Sequence, residues 1–82
     1  MGIYDPLKGF LAGQVGRVAV LSFGQIETIL SHKLPSAAHE HDWWWANEDV
    51  LTTQHVQCKS WQGAGWQMAA VDRAHRSVRF TR

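Results

Sequence analysis

Apolar residues at helical spacing mark the first element of the chain. Three of them fall at i, i+3 and i+4 within YDPLKGFLAGQ, the spacing of one buried helix face: Leu7, Phe10 and Leu11. Asp5 precedes them as a suitable N-cap, and Pro6 suits the first helical position, where no backbone N–H is needed. The sequence therefore predicts a short amphipathic helix that a following glycine ends.

A strand and a second helix follow directly. The run VAVL at residues 18–21 is apolar and rich in β-branched residues, which predicts a strand buried on most sides. Ser22 and Gln25 form an S-x-x-Q capping box, in which each side chain bonds the backbone N–H of the other residue at a helix start. Because the residue before a proline avoids helical geometry, Pro35 ends this second helix.

The middle of the chain predicts two more helices around a polar loop. PSAAHEHDWWWAN can begin a short helix at Pro35 or Ser36, and EDVLTTQ is a loop. QHVQCKSWQGAG is the next helix, capped by Thr52 or Thr53 and ended by its glycines. Two inward faces compete there, and spacing does not choose between them: Val56, Ser60 and Gly63, or Cys58 and Trp61.

The C-terminal segment alternates apolar and polar residues at period two. WQMAAV places Trp66, Met68 and Ala70 on one side, and SVRFTR sets Val78 and Phe80 against polar neighbours. The segment DRAHR between them is a polar turn. This pattern predicts a half-exposed antiparallel hairpin.

The predicted elements follow the order of a winged helix: helix, strand, helix, helix, hairpin. In that fold the first strand pairs with the hairpin, and the helices pack on one side of the small sheet. We therefore predict an α+β, winged-helix-like single domain over residues 1–82, with three to four short helices on an antiparallel sheet. The alternative is another compact α+β fold with a three-stranded sheet.

Aromatic bulk supports a core in so short a chain. A domain near 82 residues buries only about 60% of its unfolded surface, which five tryptophans of roughly 150–250 Å² each offset. In WWWAN, successive helical residues lie about 100° apart, so at most two rings face inward. We expect Trp44 and one other ring in the core, a partly exposed third ring, and buried Trp61 and Trp66.

Charge is unevenly distributed although the net charge is only +1. Residues 31–50 hold four acids against Lys33, and residues 73–82 hold four arginines and no acid. The basic end is either a solvated strand face or a hairpin that contacts phosphates. We find no secretory signal and no apolar run near the roughly 20 residues that span a bilayer, and the single Cys58 cannot form an internal disulfide. We expect a cytoplasmic protein.

Short motifs stand in a specific order along nearly the whole chain. They are Tyr4-Asp5-Pro6-Leu7, Phe23, Gln25-Ile26-Glu27, Ile29-Leu30, Leu34-Pro35, His41, Trp44-Trp45, Asn47, His55, Gln57, Trp61, Ala64-Gly65-Trp66, Val71-Asp72, Val78, Phe80 and Arg82. With them the chain resembles a family of small bacterial proteins and domains of unknown function. The family has basic residues around the histidine, whereas Glu40 and Asp42 flank His41 here. Domains of this family stand alone or beside nuclease-like modules, so the resemblance implies association with DNA.

Two functions follow as expectations. The first is non-enzymatic DNA binding, with the helix before the hairpin near a groove and the hairpin on phosphates; its candidate residues are His55, Gln57, Lys59, Arg73 and Arg76. The second is a protein–protein adaptor or inhibitor that uses a tryptophan patch with an acidic rim; its candidate residues are His41, Trp43 and Asn47. The simpler interpretations are that the polar side chains only contact solvent, that the histidine bonds to backbone, and that Asn47 caps a helix end.

Other chemistry has little support in the sequence. His39, His41 and His55 invite a zinc site, but no C-x-x-C or H-E-x-x-H accompanies them. Cys58 and His55 are three residues apart, yet no orienting group or glycine-rich phosphate loop is present. We expect no enzymatic activity, no cofactor or metal, no membrane partner and no small-molecule substrate.

Overall fold

Three strands form one antiparallel sheet, and four α-helices pack with it. The computed structural model describes residues 2–82. Its elements are α1 (Asp5–Ala12), β1 (Val18–Ser22), α2 (Phe23–Leu30), α3 (Ser36–Glu40), a 3₁₀ helix (Asp42–Trp45), α4 (Gln57–Gly63), β2 (Gln67–Asp72) and β3 (Ser77–Thr81). The strand order is β1-β3-β2, with β2 and β3 as a C-terminal hairpin and β3 in the centre. The predicted α+β fold is confirmed.

Local signals account for the start of α2. The Ser22 hydroxyl accepts from the Gln25 N–H at 3.0 Å, and the Gln25 side chain accepts from the Ser22 N–H at 2.8 Å. The predicted capping box is therefore present. Helix α1 begins at Asp5, one residue earlier than predicted, with Tyr4 at its N-cap, and the Asp5 carboxylate accepts from the Gly2 N–H at 2.9 Å.

A ladder of aromatic rings crosses the core from α2 to β3. Phe23 stacks on Trp45 at 5.2 Å between ring centroids, Trp45 stacks on Trp61 at 6.1 Å, and Trp61 meets Phe80 at 5.6 Å. Trp66 is also fully buried. Each of the three buried indole N–H groups in this centre has an oxygen acceptor at 2.9 Å, which removes the cost of burying an unpaired donor.

Helix α4 is shorter than predicted and buries the second of the two competing faces together with Ser60 of the first. Cys58 and Trp61 point inward, and Val56 lies exposed ahead of the helix. The helix is not capped by a threonine, because the Thr53 hydroxyl accepts from the N–H of His55 within the preceding loop. Helix α4 therefore presents a narrow solvent face.

The hairpin differs from simple alternation at one position. The β2–β3 register shifts between Met68 and Ala70, so Ala69 is an extra residue in β2. Ala70 is consequently exposed, contrary to prediction, and Val71 packs against the core instead. Within residues 2–82, none of the helices has the length and apolar character needed to cross a bilayer.

Candidate functional site

The 3₁₀ helix decides which tryptophan reaches solvent. With about three residues per turn, successive side chains point roughly 120° apart. Trp44 and Trp45 are buried, whereas Trp43 keeps 49% of its surface exposed. The expectation that two of the three rings fill the core is confirmed, and Trp43 is the outward ring.

Two histidine rings stack on the exposed indole. The His41 ring lies 5.8 Å from Trp43 between centroids at an interplanar angle of 18°, and the His55 ring lies 5.3 Å away at 30°. These contacts join the 3₁₀ helix to the loop that precedes α4. Trp43 is thus held by neighbours although half of it faces solvent.

A carboxylate fixes one of these histidines. The Nδ1 atom of His55 lies 2.9 Å from Glu48, and the same carboxylate accepts a hydrogen bond from the Thr53 hydroxyl. The Thr53 hydroxyl first, and then His55, hold the pKa of Glu48 below its ordinary value. We call the group His41, Trp43, Glu48 and His55 the Trp43 surface.

The loop beside the Trp43 surface is ordered and carries exposed apolar side chains. The Asp49 carboxylate accepts from the Leu51 N–H at 2.9 Å, and the Asp49 carbonyl accepts from the Thr53 N–H at 2.9 Å. Leu51 at this turn is 90% exposed, and Val50 and Val56 are also exposed. The segment therefore offers apolar area from a defined backbone.

The chain segment that forms the Trp43 surface carries acids but no lysine or arginine. Residues 34–58 contain no lysine or arginine and hold four acids: Glu40, Asp42, Glu48 and Asp49. One hairpin cation approaches from outside this segment, since Arg73 Nε lies 2.7 Å from Asp42 and its Nη1 donates to the Glu40 carbonyl at 3.0 Å. The surface is aromatic and acidic.

Asn47, predicted to contact a partner, is occupied internally. Its Nδ2 donates to the Met68 carbonyl at 2.8 Å, and its Oδ1 accepts from the Met68 N–H at 2.8 Å and from Trp61 Nε1 at 2.9 Å. The side-chain amide therefore pairs with the outer edge of β2 as another strand would. Its role in the structure is to tie the loop to the sheet.

The helix residues predicted to contact DNA have three different environments. Gln57 is buried, and its Nε2 donates to the Trp44 carbonyl at 3.0 Å. His55 belongs to the Trp43 surface. Lys59 is exposed and lines a cleft of about 270 Å³ between α1 and α4, together with Lys8. Gln57 thus has no amide turned to solvent.

The hairpin arginines also have different environments. Arg73 pairs with Asp42, as described, and Arg82 lies over Trp66 at 4.6 Å and donates to the Gly16 carbonyl at 2.7 Å. Arg76 occupies the turn with a φ of 53°. Within residues 2–82 its side chain forms no hydrogen bond or ion pair, and the same holds for Arg79. Two arginines therefore remain open to solvent.

Sequence reasoning did not select Glu48, Thr53 or the Arg73–Asp42 pair. Glu48 lies seven residues before His55 within an irregular loop, where no period relates two side chains. The acidic composition of the segment was visible, but not the pairing within it. Among the described residues, no group of three or more His, Cys, Asp or Glu side chains is placed to hold a metal ion.

Comparison with known proteins gives one match. A family model described as a domain of unknown function (DUF7662) matches residues 4–82. No curated protein and no solved structure matches the chain.

Proposed function

Because the chain belongs to the DUF7662 family of domains of unknown function, which brings no activity with it, we propose a function from the geometry. The domain is a non-enzymatic protein-interaction module. Its Trp43 surface binds a positively charged segment of a partner protein. The observation that carries this proposal is a half-exposed tryptophan, held by two histidine rings within a segment that contains acids and no lysine or arginine.

The exposed indole is suited to bind because it is already ordered. Tryptophan is enriched among the residues that dominate binding energy at protein interfaces. Immobilising a side chain on binding costs about 0.5–1.5 kcal/mol, and the stacking of His41 and His55 on Trp43 has met part of that cost in the unbound domain. The Glu48 contact to His55 extends the same ordering to the loop.

Charge selects the class of partner. Four carboxylates within residues 34–58, one of them paired with Arg73, attract a basic segment and repel phosphates. An arginine or lysine placed over the part of the indole that the two histidine rings leave exposed gains about 0.5–2 kcal/mol from the ring quadrupole. The aromatic ring and the acids thus favour the same partner, a segment rich in arginine or lysine.

DNA association remains a second candidate, supported by Arg76, Arg79 and Lys59. These side chains are exposed and form no ion pair within residues 2–82. They favour contact with phosphates over reading of base edges, since Gln57 is buried and Arg73 is paired. This interface would be sequence-independent and strongly dependent on salt.

A binding assay with defined probes tests the proposal. Fluorescent peptides of equal length, one rich in arginine and one rich in glutamate, and a labelled DNA duplex are titrated with the domain by anisotropy. We expect binding of the arginine peptide, weakened about 2- to 30-fold by Trp43→Ala and largely kept by Trp43→Phe.

The same assay separates the two candidates. Equal affinity of Trp43→Ala and the unaltered domain for the arginine peptide contradicts the proposed site. Duplex binding that weakens in Arg76→Ala and Lys59→Ala, without an effect of Trp43→Ala, supports DNA association instead.

A further inference from the structure

The edge of β1 that faces away from β3 carries unpaired backbone groups. The Arg82 N–H donates to the Arg17 carbonyl and the Phe23 N–H donates to the Arg76 carbonyl, so odd-numbered residues of β1 point their backbone toward β3. By the alternation of an antiparallel ladder, Val18, Val20 and Ser22 point theirs outward. The Ser22 N–H donates to the Gln25 side chain. The outward groups without a partner are therefore the N–H and C=O of Val18 and of Val20.

The opposite edge of the sheet, strand β2, is partly covered by a side chain and interrupted by a bulge. At β2, the Asn47 amide bonds both the N–H and the C=O of Met68, and a bulge follows at Ala69. Side-chain cover and bulges are the means by which proteins prevent strand addition. Strand β1, with the sequence VAVLS, has no charge, proline or bulge. The domain thus interrupts the β2 edge at Met68 and Ala69 and leaves the β1 edge able to pair.

We propose that β1 pairs with β1 of a second copy of this chain, antiparallel and related by a two-fold axis at Ala19. In this register Val18 of each copy faces Val20 of the other, and each facing pair exchanges two hydrogen bonds. The four bonds use every outward N–H and C=O of Val18 and Val20 and leave the Gln25 cap on Ser22 intact. The product is one six-stranded sheet.

Side chains on both faces suit this pairing. Val18 and Val20 are exposed on the outer face, at 55% and 63%, and become facing valine pairs, a combination that stabilises sheets. On the inner face a groove of about 640 Å³ runs beside β1 and is lined by Phe10, Leu21 and Ile29, among others. In the proposed register, position 17 of the partner lies opposite Leu21, so the aliphatic stem of an arginine reaches this groove.

The uncharged strand favours a second copy as occupant. No like charges meet in the facing pairs, because VAVLS has none. The Trp43 surface lies at the other side of the sheet, since the 3₁₀ helix packs against β2. Pairing through β1 therefore leaves both Trp43 surfaces open and makes the assembly bivalent.

The test exploits the outward direction of the Val20 N–H. Val20→Pro removes this donor and places a ring on the edge without removing a β1–β3 hydrogen bond, and Val20→Thr is its control with the N–H and β-branching kept. Sedimentation equilibrium is run up to about 1 mM, which detects association as weak as roughly −4 kcal/mol. We expect twice the monomer mass for the unaltered chain and Val20→Thr, and the monomer mass for Val20→Pro with an unchanged circular dichroism spectrum.

Hydrogen exchange gives a second readout in the unaltered chain. The amides of Val18 and Val20 exchange rapidly in dilute solution and are protected at high concentration, whereas the Ala19 amide is protected in both. If the proline variant does not fold, Val18→Lys combined with Val20→Lys takes its place. In the proposed register each lysine of one copy then faces a lysine of the other, and the like charges oppose pairing. A monomer at all concentrations, or a dimer that persists in the edge variants, overturns the proposal.

Discussion

The Nδ1 atom of His55 lies 2.9 Å from a carboxylate oxygen of Glu48, while the His55 ring stacks on Trp43. A loop carboxylate thereby positions an exposed indole through an imidazole. The arrangement joins three segments that are separate in sequence, and it places a negative charge beside a ring that suits cations. The Glu48 carboxylate therefore both orders the Trp43 surface and contributes to its negative charge.

Lowering the pH should weaken the contacts of Glu48 with Thr53 and His55. The Thr53 hydroxyl and His55 hold the pKa of Glu48 below its ordinary value of 4.5. A lowered folded-state pKa means that the carboxylate contributes stability above its unfolded pKa, and that this contribution disappears as the pH falls through the folded value. In Glu48→Gln, we expect a smaller loss of unfolding free energy between about pH 6 and pH 3 than in the unaltered domain.

Urea titrations at several pH values measure that loss. Glu40→Gln is the matched control, because the Glu40 side chain is exposed and forms no hydrogen bond within residues 2–82. The interpretation fails if the two variants show the same dependence on pH.

Core and surface tryptophans differ sharply in their expected effect on stability. Trp45→Ala removes a ring that is 1% exposed and stacks on Phe23, so we expect a loss of about 3–5 kcal/mol. Trp43→Ala removes a half-exposed ring, for which we expect about 1 kcal/mol or less. Urea unfolding measures both. A large loss in Trp43→Ala would mean that the ring is structural, and would remove the reason for placing a partner there.

Asn47→Ala tests the connection between the loop and the sheet. The substitution leaves the buried Trp61 N–H and both backbone groups of Met68 without their partner, and we expect a loss of about 2–4 kcal/mol. Asn47→Asp keeps an acceptor for Trp61 and loses the donor to the Met68 carbonyl, so an intermediate loss is expected. Equal stability of Asn47→Ala and the unaltered domain in urea would contradict this role.

Two glycines should respond to alanine with opposite signs. Gly9 lies inside α1 with no atom within 4 Å of an added Cβ, so Gly9→Ala should stabilise by about 0.5–1 kcal/mol. Gly65 has a φ of +86°, and Gly65→Ala should destabilise by about 1–2 kcal/mol despite the open space around it. Thermal unfolding of the pair separates backbone strain from steric overlap, since neither site is crowded.

Short-range patterns predicted most of the fold. The capping box at Ser22 and the alternation around Phe80 depend on neighbours within a few residues, and both are present. The extra residue Ala69 was not predicted, because a bulge changes which face each later residue occupies and leaves no mark in composition. The exposure of Trp43 depends on the 3₁₀ geometry of Asp42–Trp45, which helix propensity does not predict.

The candidate site was less predictable because its contacts are long-range. The Asn47–Met68 bonds join residues 21 positions apart, and the Arg73–Asp42 pair joins residues 31 apart. The sequence placed acids in residues 31–50 and arginines in residues 73–82, but the hairpin brings Arg73 back to the acidic segment. An unpaired Arg73 would be available to contact phosphates. Its pairing with Asp42 therefore makes DNA binding a weaker candidate than protein binding.

Asp42→Asn therefore distinguishes the proposed functions. The exposed Arg73–Asp42 pair contributes about 0–1 kcal/mol to stability, so the domain should remain folded when the pair is broken. The substitution removes an acid from the rim of the Trp43 surface and takes away the anionic partner of Arg73, whose Nη1 keeps its bond to the Glu40 carbonyl. If a basic partner binds there, affinity for the arginine peptide falls about 2- to 5-fold, and affinity for duplex DNA rises little.

If the hairpin contacts phosphates, affinity for duplex DNA rises and its salt dependence steepens by close to one further phosphate contact, while affinity for the arginine peptide is unchanged. Glu40→Gln, which removes a nearby charge without freeing Arg73, is the control for a general effect of charge.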